Sequence, residues 1–556
     1  MMPVMRVHLF GLLTFALSLT ALAAAPPPTR GVKGMVAADN LLASQAGAEV
    51  IQRGGNAVDA AIAAALSSGV VMPSGSGLGG GGFAVVSMGG QHYTLDFREV
   101  APAKAHRDMF LDARGEVVPK LSTDGGLAVA VPSEGRGLSA LHRKYGRLTL
   151  AQIAAPAVRQ ATDGFEVGAH LAGSLSRLPG VAPMLFGAPT VPNEGQLVRR
   201  TALASTIKAW AKSGGEALNV GPIAKELASA AQAAGGVLTA EDLAAVAPKE
   251  RAPLVGKYRG YTLVTMPPPS SGGAVLLQLL AALEGFEVQA LGHNSSEHVH
   301  LLAELMKHAY ADRARVMGDP DFVNVPVDAL LAPARIAEIQ RSVWPTRTFP
   351  SDRYGAPIDA PRDAGTLHIS ALDASGLAVA LTTTINTSFG SQVFAPKSGV
   401  LLNNQMDDFV AKPGVPNAFG LIGLESNAIA PGKRPLSSMT PTIVYDAQGR
   451  VVMVVGASGG STIISATLQI ICNVLDFGMD PAEALAAPRM HHQWMPDLVN
   501  LDVGYPQDVV RGLESRGHTV KVSEHFSAAQ VIVWGADGQM SAASDPRKGG
   551  APAAAR

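Results

Sequence analysis

The pattern of the chain changes at Thr366. Before it, residues 131–246 carry alanine-rich stretches of helical apolar spacing separated by Gly and Pro. Residues 40–66 read the same way, broken at Gly54-Gly55, and a further helix is expected from Ser296 to about Val316. Residues 272–285 read as another helix, opened by Met266-Pro267-Pro268-Pro269-Ser270-Ser271, and Gly235 to Leu243 reads as a loop followed by a capped helix. After Thr366 the reading is strand, turn, strand. Residues 367–372 and 377–384 pair around Asp373-Ala374-Ser375-Gly376, and 441–445 pair with 451–455 around Asp446-Ala447-Gln448-Gly449. Residues 462–476 return to helix. Helices and hairpins in this mix can bury their apolar faces only in layers, so a layered α/β domain is expected. Between the two regimes, residues 340–365 are rich in Pro, Asp and Arg and read as an irregular loop.

Composition narrows the classes. With 556 residues, 47% of them hydrophobic, there is material for a large core. Lys and Arg (44) balance Asp and Glu (45), so neither a nucleic acid nor a strongly basic partner is expected. The single cysteine, Cys472, excludes an intrachain disulfide and lies in an apolar run, where it reads as core. The glycine run Leu78-Gly79-Gly80-Gly81-Gly82-Phe83 lacks a Gly-Lys-Ser/Thr ending and leads into a strand, so it reads as tight backbone packing and not as a phosphate loop.

The first 25 residues read as an export signal. Arg6 supplies the positive start, residues 9–22 are apolar, and Ala21-Leu22-Ala23 or Ala23-Ala24-Ala25 offers a cleavage site before Pro26-Pro27-Pro28. The apolar stretch is short against the roughly 20 residues of a spanning helix. A periplasmic or secreted protein with no membrane contact after signal removal is expected.

Chemistry concentrates around Thr366. It stands in Asp363-Ala364-Gly365-Thr366-Leu367-His368-Ile369-Ser370 and is followed by Thr382-Thr383-Thr384-Ile385-Asn386, Asn403-Asn404-Gln405-Met406-Asp407-Asp408-Phe409, Arg434-Pro435-Leu436-Ser437-Ser438-Met439 and Gly456-Ala457-Ser458-Gly459-Gly460-Ser461. In order and spacing these elements, with Asp96-Phe97-Arg98-Glu99 upstream, resemble the bacterial γ-glutamyltranspeptidases, over residues 31–547. The resemblance implies an N-terminal-nucleophile hydrolase fold, an αββα four-layer sandwich. It also implies self-cleavage between Gly365 and Thr366. The products would be a large subunit (26–365) and a small one (366–556) that share one domain as a heterodimer.

Self-cleavage has a chemical purpose. A threonine hydroxyl needs a base within reach. An N-terminal threonine carries one, because its α-amine has a pKa of about 7.7–8.0 and is partly neutral near pH 7. The unprocessed chain lacks that base and is expected to be inactive.

The other roles come from the resemblance. Thr384 would hydrogen-bond the nucleophile's hydroxyl, and the N–H groups of Gly459 and Gly460 would form the oxyanion hole. Arg98, Ser437 and Ser438 would bind a substrate α-carboxylate, for which the planar Arg fork is suited. Asp408, with Gln405 and Asn386, would receive the α-ammonium, and Asp407 would be structural. Residues 412–420 resemble the lid over this pocket, with Phe419 where relatives often carry Tyr. The element His491-His492-Gln493-Trp494 lacks the spacing of a metal site. No metal or cofactor is expected, and His368 is not expected to act in catalysis.

The activity implied is ping-pong acyl transfer. Thr366 would take the γ-glutamyl group from glutathione or another γ-glutamyl donor as an ester and pass it to water, an amino acid or a dipeptide. Two alternatives remain at this point: a glutaryl-cephalosporin acylase of the same fold, and an exported binding protein that never self-processes.

Overall fold

The computed structural model describes residues 27–354, 365–524 and 527–556. The expected signal and residues 355–364 of the loop before the cleavage junction, Ala364 among them, lie outside the described residues. Two seven-stranded antiparallel sheets organise the rest. From edge to edge the first runs Ala553–Ala554, Gly34–Ala38, Gly365–Asp373, Ala378–Asn386, Gly81–Met88, Gln91–Phe97 and Lys249–Arg251. The second runs Thr29–Gly31, Met540–Ser544, Ala528–Trp534, Val451–Ser458, Thr442–Tyr445, Tyr261–Thr265 and Leu254–Tyr258. Gly365–Asp373 and Ala378–Asn386, the two central strands of the first sheet, pack against Val451–Ser458 of the second.

The outer faces are covered by helices. Leu41–Gln52 and Ala57–Val71 lie on the first sheet, and Gly272–Leu283 and Thr462–Leu475 on the second. Every residue of the strands Gly365–Asp373 and Ala378–Asn386 is buried, as expected of strands covered on both faces. Both sheets interleave chain from before and after Thr366, so a break at that point would leave each piece holding strands in both sheets.

The helices follow their sequence signals closely. Ser296–Val316 has the expected bounds, Ser295 capping its start. Thr239 and Asp242 form a reciprocal cap on Ala240–Ala245, and Asn56 with Asp59 does the same for Ala57–Val71, directly after the Gly54-Gly55 break. Two boundaries differ from expectation. Pro333–Ser342 is helical into the segment read as loop, because Pro333 at its first turn needs no donor there. The strand Gly81–Met88 begins inside the glycine run. A Cβ at Gly80 would come within 2.0 Å of the Thr384 carbonyl oxygen, and one at Gly82 within 2.2 Å of that of Thr382. The run exists so that this backbone can lie against the return strand. Cys472 is buried in the core beneath the second sheet, and burial pushes its thiol up.

Candidate active site

A bulge fixes the start of the nucleophile strand. The hairpin pairs Thr366 with Thr384, but Gly365 with Asn386, so the register slips between Gly365 and Thr366. A Cβ on Gly365 would meet the Thr387 carbonyl at 2.6 Å and the Asn386 oxygen at 2.9 Å, so only glycine fits. Asn386 holds φ at 81°, a left-handed conformation that Asn tolerates better than other non-glycine residues. The slip brings three hydroxyl and carbonyl oxygens together. The Thr366 and Thr384 hydroxyl oxygens are 3.0 Å apart; Thr384 donates to the Gly365 carbonyl at 2.8 Å and accepts from the Asn386 N–H at 2.8 Å. With its single proton on Gly365, Thr384 is left to accept from Thr366. The bond that self-cleavage would break is therefore hydrogen-bonded at its carbonyl, beside the hydroxyl that would attack it.

Opposite Thr366 the pocket turns charged. A narrow cleft is lined by Thr366, Thr384, Asn386, Arg98, Arg313, Gln405, Asp408, Phe419, Ser437, Ser438 and Gly460, among others. Arg98 is 1% exposed and pairs with the Asp408 carboxylate through its Nη2, while its Nε donates to the Pro435 carbonyl at 3.2 Å. Glu99 lies 3.7 Å from the same guanidinium, and Asp96 caps the Arg98 backbone N–H at 2.9 Å. Burial pushes the Glu99 carboxyl up to about 7 against the pull of Arg98. Asp408 also accepts from Gln405 (2.8 Å) and Asn417 (3.3 Å), and burial raises its pKa while Arg98 opposes the rise. Asn386 reaches the cleft, but its side-chain amide donates to the Asn404 carbonyl at 3.0 Å.

Ser437 accepts the Met439 N–H at 3.1 Å, and Ser438 accepts from Arg313 at 3.3 Å. Gly459 and Gly460 have φ values of 137° and 58° and lie at the start of the helix Thr462–Leu475. Neither of their N–H groups meets a protein acceptor among the described residues. Gly460 lines the cleft, and a Cβ there would strike the Phe419 ring at 2.3 Å.

Residues 418–420 are tied from two sides. Asp407 accepts the Ala418 N–H at 2.9 Å and the Ser122 hydroxyl at 2.7 Å, and burial pushes its carboxyl up to about 6. Gln493 donates to the Phe419 and Gly420 carbonyls at 3.3 and 3.0 Å and accepts from Ser461 at 2.7 Å. The histidine pair is split: His491 bonds Ser465 and Gln493, and His492 bonds Asp497. His368 is buried against Gly456 of the facing sheet and bonds Thr382 and Ser370, with burial holding its pKa down to about 3.

Several residues around the site carried no sequence signal. Arg313 ends an otherwise ordinary amphipathic helix, yet its guanidinium is buried between Ser271 and Ser438. Lys548, near the end of the chain, donates to the Thr366 carbonyl at 2.9 Å. Both positions are set by the fold, from segments far from Thr366 in sequence.

A threonine hydroxyl at the head of a central strand of two stacked sheets, hydrogen-bonded beside its own preceding peptide, fits the class of N-terminal-nucleophile hydrolases. Comparison with known proteins narrows it. The family model described as Gamma-glutamyltranspeptidase matches residues 43–555. The chain is 42% identical to the glutathione hydrolase proenzyme of Escherichia coli over 538 residues, 94% of this chain and 91% of the relative. It is 38% identical to the proenzyme of Pseudomonas aeruginosa, covering 92% and 93%. Among solved structures, the cephalosporin acylase from Bacillus halodurans superposes with a TM-score of 0.84 at 27% identity, over 98% and 99% of the two chains. The γ-glutamyltranspeptidase of Helicobacter pylori has a TM-score of 0.55 at 40% identity, over 56% of this chain and 93% of that one. The chain belongs to the γ-glutamyltranspeptidase family.

Proposed function

We infer that the protein is a self-processing γ-glutamyltransferase and glutathione hydrolase. The observation that carries this reading is the pairing of Arg98 with Asp408 at the far end of the cleft from Thr366. A γ-glutamyl donor presents an α-carboxylate and an α-ammonium at one end and the amide to be cut at the other. Arg98 and Asp408 neutralise each other while the cleft holds no donor. A zwitterionic donor end lets each exchange its partner for an opposite charge. Arg98, Ser437 and Ser438 take the carboxylate; Asp408, supported by Gln405, takes the ammonium, and Asn386 borders it.

The reaction follows from the geometry at Thr366. In the precursor the hydroxyl attacks the Gly365 carbonyl, which Thr384 already polarises; the carbon–nitrogen bond breaks to free the α-amine, and water then hydrolyses the ester to free the Thr366 hydroxyl and the Gly365 carboxylate. In the processed enzyme that amine takes the Thr366 proton as the hydroxyl oxygen bonds the γ-carbonyl carbon. The tetrahedral oxyanion is received by the Gly459 and Gly460 N–H groups. Such donors are worth roughly 2.7–4 kcal/mol each in well-studied hydrolases. The carbon–nitrogen bond breaks, the leaving amine takes the proton, and water or an amino acid or peptide amine accepts the γ-glutamyl group.

The four-layer αββα arrangement belongs to this reading, supported by helices packed on the outer face of each sheet. So does the division into subunits 26–365 and 366–556, held as a heterodimer by strands that interleave. Export to the periplasm or beyond is proposed from the first 25 residues alone. No described helix is long and apolar enough to cross a membrane.

The structural likeness to a cephalosporin acylase favours one rival, a glutaryl amidase. A glutaryl donor lacks the ammonium, so Asp408 would gain no partner for the Arg98 it gives up. Sites built around substrate hydrogen bonds reject such analogues by about 10⁴–10⁵, and a partly open cleft by less. The deciding experiment compares kcat/KM for a γ-glutamyl and a glutaryl anilide on the processed enzyme. A strong preference for γ-glutamyl is expected; equal values promote the amidase.

A further inference from the structure

The strand Gly34–Ala38 runs out beside the nucleophile strand before reaching its catalytic end. The last pairing is Ile369 with Ala38, so His368 and Thr366 have no strand neighbour on that edge. Two charged side chains stand in for it. Asp39 accepts the His368 N–H at 2.8 Å, and Lys548 donates to the Thr366 carbonyl at 2.9 Å. Ser458 lies between them, accepting from Lys548 at 2.7 Å and donating toward Asp39 at 3.4 Å.

Direction matters here. In an extended residue the N–H and the C=O point to the same side of the strand. The Thr366 nitrogen therefore faces the Lys548 edge, and backbone bond lengths put the ammonium within about 6 Å of it. In the precursor that nitrogen is a neutral amide, and the cation costs it nothing. Once the Gly365–Thr366 bond is cut, the same nitrogen becomes a titratable amine with a like charge beside it.

We propose that Lys548 is a positioning residue that keeps the Thr366 α-amine in its neutral, proton-accepting form at neutral pH. The inference rests on Thr366 being the processed nucleophile. A nearby like charge disfavours protonation, and at this range shifts of about one pH unit or more are usual. Among the described residues, the other charged groups near the amine act more weakly. Ionised Asp39 acts the opposite way, but it binds two residues further along the strand, about 6.6 Å on. Burial raises its pKa to about 6 against the pull of Lys548. Asp545 is committed to Arg489 and Arg547. Across the cleft, Arg98 and Asp408 offset each other. His170, which also feels the Lys548 charge, is held neutral by burial, with a pKa down to about 3.

The test uses full-length protein, with splitting into two fragments verified on a denaturing gel. The dependence of kcat/KM on pH is measured with a γ-glutamyl anilide for wild type, Lys548→Met and Lys548→Arg. The acid limb of the wild type is expected below the ordinary α-amine range of about 7.7–8.0. Lys548→Met should move it up by about one pH unit while the alkaline plateau stays within about threefold, and Lys548→Arg should restore the wild-type limb. A methionine variant with an unmoved limb, or a loss equal at every pH, overturns the proposal. Should that variant fail to split, the amine is titrated in processed wild type by the pH dependence of cyanate carbamylation at Thr366, read by mass spectrometry. An apparent pKa at or above the ordinary range then overturns it. A wild-type chain that never splits defeats the nucleophile reading itself, and this inference with it.

Discussion

The two ends of the cleft are built in opposite ways. The reacting groups at the Thr366 end are uncharged and local, with Lys548 and Asp39 held along the open edge of their strand. The hydroxyls, the Gly365 carbonyl and the Asn386 N–H all belong to one hairpin, and a single register slip aligns them. The Arg98 end is charged and assembled from afar: Arg98, Arg313, Gln405 with Asp408, and Ser437 with Ser438 come from four separate segments. The difference teaches where tolerance lies. Chemistry at the Thr366 end depends on a backbone geometry that one hairpin encodes. Recognition at the charged end depends on buried pairs whose loss leaves an uncompensated charge.

The comparison breaks most sharply at Thr366. Thr366→Ala should run as one unsplit chain on a denaturing gel and lose activity on the order of 10⁶-fold in kcat, the scale seen when a hydrolase nucleophile is removed. A split chain in this variant would move the junction elsewhere.

At the charged end, Arg98→Ala and Asp408→Asn should split normally and then fail on donor. Removing one partner of a desolvated charge pair costs about 2–5 kcal/mol, which is roughly 30- to 4,000-fold in kcat/KM. Unchanged kcat/KM for glutathione in either variant would remove that residue from the donor site. Normal splitting matters as much, because it separates the recognition end from the processing end.

Gly365→Ala sharpens the contrast in the other direction. The added methyl meets the Thr387 backbone at 2.6 Å, and overpacking of this kind costs about 1–3 kcal/mol. Splitting should slow by roughly 5- to 150-fold, measured as the rate of fragment appearance. Since residue 365 is not part of the small fragment, the fraction that does split should show wild-type kcat.

The last effect falls on stability behind the hairpin and leaves the chemistry of the cleft alone. Glu134 is buried, accepts from the Thr383 hydroxyl at 2.6 Å, and has its carboxyl pushed up to about 8 by burial. Its folded pKa lies above its unfolded one, so its favourable contribution is present below about pH 4.5 and is lost as pH rises through about 8. Glu134→Gln should therefore unfold like wild type at pH 5 and be the more stable by about 1–4 kcal/mol at pH 9, followed by denaturant melts. An equal difference at both pH values would show that Glu134 does not titrate across this range.

How much was legible follows the same division. The hairpin after Thr366 and the helix Ser296–Val316 could be read directly, because turn residues and apolar periodicity are local properties. The glycine run could be read as close packing, though not against which strand; the Thr384 and Thr382 carbonyls supply that. The resemblance marked Arg98 as a carboxylate binder, but its burial against Asp408, more than 300 residues along the chain, is set by the fold. Arg313 and Gln493 gave no sign, since a buried arginine on a helix and a glutamine bonded to a loop backbone look like any others.

By itself the sequence determined the elements, the turn chemistry and the place where a threonine follows a glycine on a strand, since each depends on neighbours a few residues away. Tertiary structure alone decided which cation meets which carboxylate and that Gln493 bonds the Phe419 and Gly420 carbonyls. It also set Lys548 against Thr366, 182 residues away in sequence. Charge pairing and desolvation act through space. Their sign and strength exist only once two sheets have been stacked and their ends brought together.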